Sequence, residues 1–277
     1  MNRHLIFCLF SSLCLVAFPA PASAENTLEK IQRTGVLNVA IREDAAPFGS
    51  RDSGGNLRGY CLDFFALLES QLIQKLERNT LSIKLLKSTA NNRFTLVTDN
   101  MIDLECGPNT IRDHPPQNID FSNSFFITGT QFLVKKDSSI DPQGDLDGAI
   151  LGVISNTTTA RLIAERYPNA TLRKYRGVTA RSRGIQAVAQ NKIDAMVSDG
   201  ILLRAQAQQQ ELSSIDYPLV PDVPLTCDRY GMIIPAEDPD WQDFINAVID
   251  SPAAEITSQA WFGNVFSYIL PAKDFCQ

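Results

Sequence analysis

The chain has 277 residues, of which 25 are Lys or Arg and 31 are Asp or Glu, for a net charge of −6. An acidic chain without a basic run is a poor partner for nucleic acid or for an anionic membrane. Its length suffices for one large domain or for two lobes with separate cores.

The first residues read as an export leader. Arg3 and His4 open it, Leu5 to Phe18 is almost wholly apolar, and Pro19 and Pro21 break the run. Ala22-Ser23-Ala24 then supplies the small residues that a signal peptidase reads. The apolar run is shorter than the ~20 residues of a membrane-spanning helix, and no later stretch is apolar enough to be one. Residues 1–24 are therefore expected to be a signal peptide cleaved after Ala24, which places the chain in the periplasm. Cys8 and Cys14 leave with it, and Phe7 and Leu13 before them do not suit lipidation.

Four cysteines remain: Cys61, Cys106, Cys227 and Cys276. An even number in an exported chain suggests disulfides, with three possible connectivities and free buried thiols as the alternative. The preferred pairing is Cys61–Cys106 and Cys227–Cys276, the second of which would tie the tail from Lys273 to Gln277 to the body. There is no C-x-x-C and almost no histidine, so no metal site and no cofactor are expected.

Asn26 and Glu29 have capping-box spacing, and Gly35 stops the short helix they begin. Val36 to Ile41 reads as a buried strand. Arg42 to Asn56 reads as a loop closed by the turn from Asp52 to Asn56. Leu62 to Leu76 has apolar residues at helical spacing, and Leu81 to Leu86 alternates like a strand. A helix over Asn92 to Thr98 and a strand over Leu104 to Cys106 complete a β-α-β-α-β order, which implies a mainly parallel sheet. The grammar then restarts. Strands are expected over Ala149–Ile154, Thr171–Tyr175 and Ala195–Val197, and helices over Thr159–Tyr167, Thr179–Gln190 and Ile201–Gln209. A strand over Tyr230–Ile234 and helices over Trp241–Ile249 and Ala253–Trp261 end the chain. Phe125 to Val134 and Cys227 to Ile234 are apolar and strand-like, unlike a Gly/Ser-rich linker. They read as two hinge crossings between lobes. Lobe one is expected to hold residues 25–130 and 231–277, and lobe two residues 131–230. Ligands of open α/β sheets bind beyond the carboxyl ends of strands, so those ends should line a shared cleft.

The segments at these strand ends carry a resemblance. They are L-E-K-I-Q-R-T-G-V-L-N-V-A-I-R-E-D-A-A-P-F (Leu28–Phe48), G-Y-C-L-D (Gly59–Asp63), D-L-E-C-G-P-N-T (Asp103–Thr110) and I-D-F-S-N-S-F-F (Ile119–Phe126). I-S-N-T-T-T (Ile154–Thr159), D-A-M-V-S-D-G-I-L-L (Asp194–Leu203) and Y-G-M-I-I (Tyr230–Ile234) follow in order. Together they resemble the polar amino-acid-binding proteins of ABC importers, closest to the glutamate/aspartate-binding branch. The resemblance implies an α/β, two-lobed periplasmic-binding-protein (Venus-flytrap) fold. It also implies a monomer that closes on an amino acid and docks on a membrane permease.

The resemblance assigns ligand roles residue by residue. Arg42, directly after the first strand, matches an arginine that contacts the ligand's carboxylate, a task suited to the planar guanidinium fork. Arg93 matches a second such arginine. Gly107, Asn109 and Thr110 match a loop that presents hydroxyl, amide and N–H groups. That loop departs from the family pattern: Arg112 follows Thr110 by two residues and Pro115-Pro116 comes next, so Arg93 and Arg112 both compete for the α-carboxylate. Thr157 and Thr158 sit at a helix N-terminus, where free N–H groups favour an anion. Asp199 matches the aspartate that holds the α-ammonium, with an N-cap for the following helix as its alternative. Arg181 lies near a position that holds histidine in the glutamate/aspartate binders, with Arg183 as the other candidate. Three arginines against one aspartate favour a ligand with a second carboxylate. Phe48 and Tyr60 read as cleft walls or core.

Other classes find little support. His114 is the one histidine past the leader and sits in D-H-P-P, a poor place for a catalytic triad. No P-loop or dinucleotide fingerprint is present. Two alternatives share the fold: a dehydratase acting on arogenate-like or other cyclohexadienyl substrates, and an amino-acid-sensing partner of a chemoreceptor.

Overall fold

The computed structural model describes residues 25–52, 54–263 and 276. The leader expected over 1–24 lies outside them, and of the tail at 273–277 only Cys276 is described. Helix α1 (Thr27–Thr34) starts on the capping box of Asn26 and Glu29 and ends at Gly35, whose φ is 69°. Strand β1 (Val36–Arg42) follows. The expected loop after Arg42 instead folds into a small antiparallel sheet of β2 (Asp44–Ala45), β3 (Gly49–Arg51) and β4 (Leu57–Arg58). The reason is a close approach: a Cβ on Gly49 would sit 2.0 Å from the Arg42 carbonyl oxygen, so only glycine lets β3 pass there. The Asp52 side chain closes the expected turn by accepting from the N–H groups of Gly54 and Asn56, each at 2.9 Å.

The chain continues through α2 (Tyr60–Lys75), β5 (Ser82–Ser88), α3 (Arg93–Thr98), β6 (Leu104–Cys106) and β7 (Ile119–Phe121). Next come β8 (Phe126–Thr128), β9 (Thr130–Leu133), β10 (Ile150–Ile154), α4 (Thr158–Arg166), β11 (Thr171–Tyr175) and α5 (Ala180–Ala189). The last elements are β12 (Ala195–Asp199), α6 (Gly200–Gln209), β13 (Leu219–Val220), β14 (Asp228–Tyr230), β15 (Ile233–Pro235), α7 (Pro239–Ile249) and α8 (Pro252–Phe262).

Two five-stranded sheets organise the molecule, ordered β5-β1-β6-β15-β7 and β11-β10-β12-β9-β13. In each, three strands run parallel and the strands at the other side pair antiparallel. The first sheet buries Leu37, Val39 and Ile41 against Phe64, Phe65 and Leu68 of α2 in one core, and Ala40, Phe121 and Ile233 with Leu96 and Val97 of α3 in another. The second has cores on its two faces, one around Met196 and Ile185, the other around Phe132 and Ile163. Phe48 and Tyr60 belong to the first core, fully buried among Phe125, Phe126, Tyr230 and Phe262. The architecture is the two-domain Venus-flytrap arrangement.

Two strand crossings join the sheets. The chain passes from β7 through β8 into β9, and returns from β13 through β14 into β15. β8 and β14 pair antiparallel, so the crossings form one two-stranded ribbon. Each crossing was expected as an unbroken strand, but both are interrupted, at Gly129 and at Gly231-Met232. A Cβ on Gly129 would meet the Thr226 carbonyl oxygen at 1.9 Å, and one on Gly231 would meet Ile111 at 2.8 Å. Sheet pairing gives way there to close packing of the crossings on each other and on the loop after β6. Cys61 is bonded to Cys106, tying α2 to the end of β6, and Cys227 is bonded to Cys276.

Candidate functional site

Strand ends from both sheets meet at one cleft. β1 delivers Arg42 and the loop after β6 delivers Thr110 and Arg112. The turn after β10 delivers Thr157 and Thr158, and β12 ends on Asp199. Arg93 at the start of α3 and Arg181 in α5 complete the lining. With the lobes in contact the space left among these side chains is small, a volume of about 30 Å³. Three lobe-to-lobe contacts and one from the crossing ribbon hold this arrangement. Arg181 Nη1 donates to the Asp44 carbonyl oxygen at 2.5 Å, and the Asn156 amide donates to Asn91 Oδ1 at 2.7 Å. The hydroxyls of Thr110 and Thr158 lie 3.5 Å apart, and Tyr230 of the crossing ribbon donates its hydroxyl to Asp199 Oδ2.

Arg42 is buried, with 3% exposure, and not a solvated surface arginine. Its fork is already occupied: Nε and Nη2 donate to Asp44 Oδ1 and Oδ2 at 2.7 and 2.9 Å. Burial opposes the Asp44 charge, but the Arg42 charge and its two hydrogen bonds outweigh it and hold Asp44 below the ordinary carboxylate range. Arg93 is buried beside it, and its side chain bonds only to the Ala90 carbonyl. Burial, and then the Arg42 charge, lower Arg93 to about 10. Among the described residues Arg93 forms no ion pair with the nearby Asp99 or Asp103; Asp103 takes Lys30. Arg181 is likewise pushed down, chiefly by burial. Nε of both Arg93 and Arg181 is buried without an acceptor.

Asp199 does not cap α6 through its side chain. Its carboxylate accepts instead from Thr159 Oγ1 at 3.2 Å and from Tyr230, while burial pushes its proton affinity up. Thr157 does cap α4, accepting from the Ala160 N–H at 3.1 Å, and it lines the cleft as well. Arg183 points elsewhere, donating to the Arg176 carbonyl and lying over Tyr175, so Arg181 is the arginine of this pair at the cleft. Gly107 and Asn109 were expected at the ligand, but the cleft is lined at that point by Pro108 and Thr110. The Asn109 amide turns inward to Glu105 Oε2 at 2.5 Å, because that buried carboxyl needs a donor. Gly107 leaves room for Arg42: a Cβ there would stand 2.9 Å from Arg42 Cγ.

A match to the bacterial extracellular solute-binding proteins, family 3, spans residues 37–264. The chain belongs to this family. A glutamate/aspartate import solute-binding protein of Salmonella typhimurium is 26% identical over 275 residues, covering 98% of this chain and 89% of the relative. Among solved structures, a histidine-bound substrate-binding protein of an ABC uptake transporter from Streptococcus pneumoniae superposes with a TM-score of 0.74 at 17% identity. It covers 87% of this chain and 98% of its own. An ancestral amino acid-binding protein, a precursor of cyclohexadienyl dehydratase, superposes with a TM-score of 0.71 at 21% identity, covering 86% and 98%. These likenesses establish the fold.

The sequence reading of this family 3 protein missed several charged groups around the cleft. Asp44 stands two residues after Arg42, and in extended chain i and i+2 share a face, which is the signal that would have paired them. Glu105 lies within a short buried strand, where any charge requires partners. Ser88 Oγ donates to it at 2.6 Å, and burial drives its proton affinity up against that bond. Asp228 on β14 is pushed up to about 7, first by burial and then by the neighbouring Asp199 charge. Among the described residues, no three His, Cys, Asp or Glu side chains gather as a metal site, and no helix is long and apolar enough to cross a membrane.

Proposed function

We propose that this protein is an extracytoplasmic receptor for an acidic amino acid, glutamate or aspartate, which it delivers as a monomer to the membrane permease of an ABC importer. One observation carries the reading: Arg42, Arg93, Arg181 and Asp199 converge from two lobes on one cleft. The balance of charge supports it. Asp44 neutralises Arg42, which leaves Arg93 and Arg181 as cations with unused donors and Asp199 as the facing anion. A zwitterion with one extra carboxylate complements that set: its ammonium suits Asp199 and its two carboxylates suit the two guanidinium groups. The name of the Salmonella relative, a glutamate/aspartate import solute-binding protein, supports this choice.

Entry requires the lobes to part, since the closed cleft has too little space for an amino acid. The ligand then favours closure because only the closed form contacts it from both sides. Two regions divide the work. Lobe one, over residues 25–130 and 231–277, presents Arg93 and the Thr110 loop. Lobe two, over residues 131–230, brings Arg181, Asp199 and the N-terminus of α4.

The deciding experiment is calorimetry on the chain from residue 25, titrated with glutamate, aspartate, glutamine and arginine. Tighter binding of glutamine or arginine than of glutamate would sink the reading. The dehydratase alternative needs a proton donor at the substrate. Asp228, whose pKa is pushed up to about 7, faces a neighbouring space beside Thr226 and Leu162 and does not line the cationic cleft, which favours binding without turnover.

A further inference from the structure

A second compartment opens beside the cationic cleft. Arg112, Thr157 and Thr158 line both, so the two spaces share a wall. The second is much the larger, about 350 Å³ against about 30 Å³. That falls in the range of small-molecule sites, roughly 300–1,000 Å³.

The charge of this compartment is one-sided. No carboxylate lines it. Arg112 enters from the loop after β6, and Arg161 enters from α4 on the opposite lobe. Arg112 Nε is buried without an acceptor. Burial, and then the Arg161 charge, make the Arg112 cation less favourable. Closing the lobes therefore brings two like charges to one space that no carboxylate lines. An anion between them reverses the sign of that interaction and so adds to the free energy of closure.

The spacing fits one extended molecule. The guanidinium carbons of Arg93 and Arg112 lie 4.4 and 4.9 Å from the centroid of the same Phe94 ring, hence within about 9 Å of each other. That is the upper limit of their separation, and extended chain spans ~3.3–3.6 Å per residue, so both cations stand within reach of a ligand of two to three residues. A single amino acid held by Arg93, Arg181 and Asp199 would leave the larger compartment unfilled.

We propose that the compartment between Arg112 and Arg161 is an anion subsite for the far end of the ligand, so that the preferred ligand is an acidic amino acid extended by one anion-bearing unit, the size of an acidic dipeptide. This rests on the assignment of the inner cleft to an acidic amino acid. The test is calorimetry with L-glutamate, with γ-L-glutamyl-L-glutamate, and with that dipeptide amidated on its second residue. The intact dipeptide should bind at least about tenfold tighter than glutamate, the amidated one should lose that gain, and Arg161→Gln should abolish the gain while leaving glutamate within about twofold. Inorganic phosphate added with glutamate should leave glutamate affinity unchanged. Glutamate binding with no gain for the dipeptide would overturn the subsite alone, as would a gain that survives Arg161→Gln. An equal gain from phosphate would overturn it too, by making the anion a separate ion. Failure of every acidic ligand would overturn the inner-cleft assignment and the subsite with it.

Discussion

The two walls of the cleft hold their charges in different ways. On the wall built from the first sheet, Arg42 and Asp44 satisfy each other two residues apart, and Glu105 is held by Ser88 and Asn109 close behind. On the wall built from the second sheet, partners come from elsewhere. Arg181 reaches across to the Asp44 carbonyl, and Asp199 adds Tyr230 of the crossing ribbon to Thr159 of its own wall. A wall whose charges balance locally keeps its shape whether the lobes are open or closed. A wall that borrows partners across the cleft is complete only on closing. Arg93 stands apart on the first wall: it is buried and its Nε has no acceptor.

The sharpest way to break this comparison is Arg42→Ala. The sequence alone gives Arg42 to the ligand, whereas the structure gives its fork to Asp44. Removing it leaves a buried carboxylate without its partner, a change that costs about 3–5 kcal/mol in comparable sites. Chemical denaturation should show that loss in the absence of any ligand. The double variant Arg42→Ala/Asp44→Ala should recover part of it, because the stranded charge is gone. Unchanged stability in Arg42→Ala would mean that the first wall is not self-sufficient.

Arg93→Ala and Arg181→Ala should behave in the opposite sense. Neither has a carboxylate of its own, so folding stability should change little. Glutamate affinity should fall by about 2–5 kcal/mol, the usual cost of deleting one member of a desolvated charge pair. Arg93→Lys should restore only part of it, since an ammonium lacks the planar fork. Calorimetry and denaturation on the same preparations separate the two quantities. Loss of stability without loss of affinity would reverse the comparison.

The fold was largely legible because its signals are local. Asn26, Glu29 and Gly35 start and stop α1 by capping, and the period of Leu62, Phe65, Leu68 and Leu72 marks α2. Arg93, Arg181 and Asp199 were legible as cleft residues through the family resemblance, and the cleft does bring them together. What escaped depends on contacts distant in sequence. Asn109 looked like a ligand donor until the buried Glu105 behind it was seen to claim its amide. Tyr230 and Asp228 lie in a crossing strand, and only the folded ribbon brings them to Asp199. The breaks at Gly129 and Gly231 were hidden for the same reason, because the atoms that forbid a side chain belong to Thr226, Ser122 and Ile111.

The second wall can also be probed by pH. Asp228 titrates near 7 in the folded protein against an ordinary value of 3.8, so folding favours its protonated form. The stability that this group contributes is complete below about pH 4 and is lost as the pH rises toward 7, by up to about 1.4 kcal/mol per pH unit. Asp228→Asn keeps a neutral side chain and should flatten that slope, leaving the variant more stable than the parent at pH 8. Ligand should act in the same direction, since an ammonium at Asp199 lowers the proton affinity of its neighbour and binding near pH 7 should release protons. Parallel denaturation profiles for the two proteins between pH 4 and 8 would remove Asp228 from the account.

The smallest effect bears on the seam where the walls touch. The hydroxyls of Thr110 and Thr158 face each other at 3.5 Å across the lobes, one from the loop after β6 and one from the first turn of α4. A contact of that length is weak, and its net worth should not exceed about 0.5–1.5 kcal/mol. Thr158→Val keeps the shape and the β-branch, and Thr157 still caps α4, so the fold should be untouched. If the hydroxyls serve only closure, each single valine variant should weaken ligand binding slightly and the double variant should weaken it no further than one of them. A double-mutant cycle on glutamate affinity measures that coupling directly. Additive losses would mean that each hydroxyl contacts the ligand by itself, so that the second wall contributes donors of its own rather than completing itself against the first.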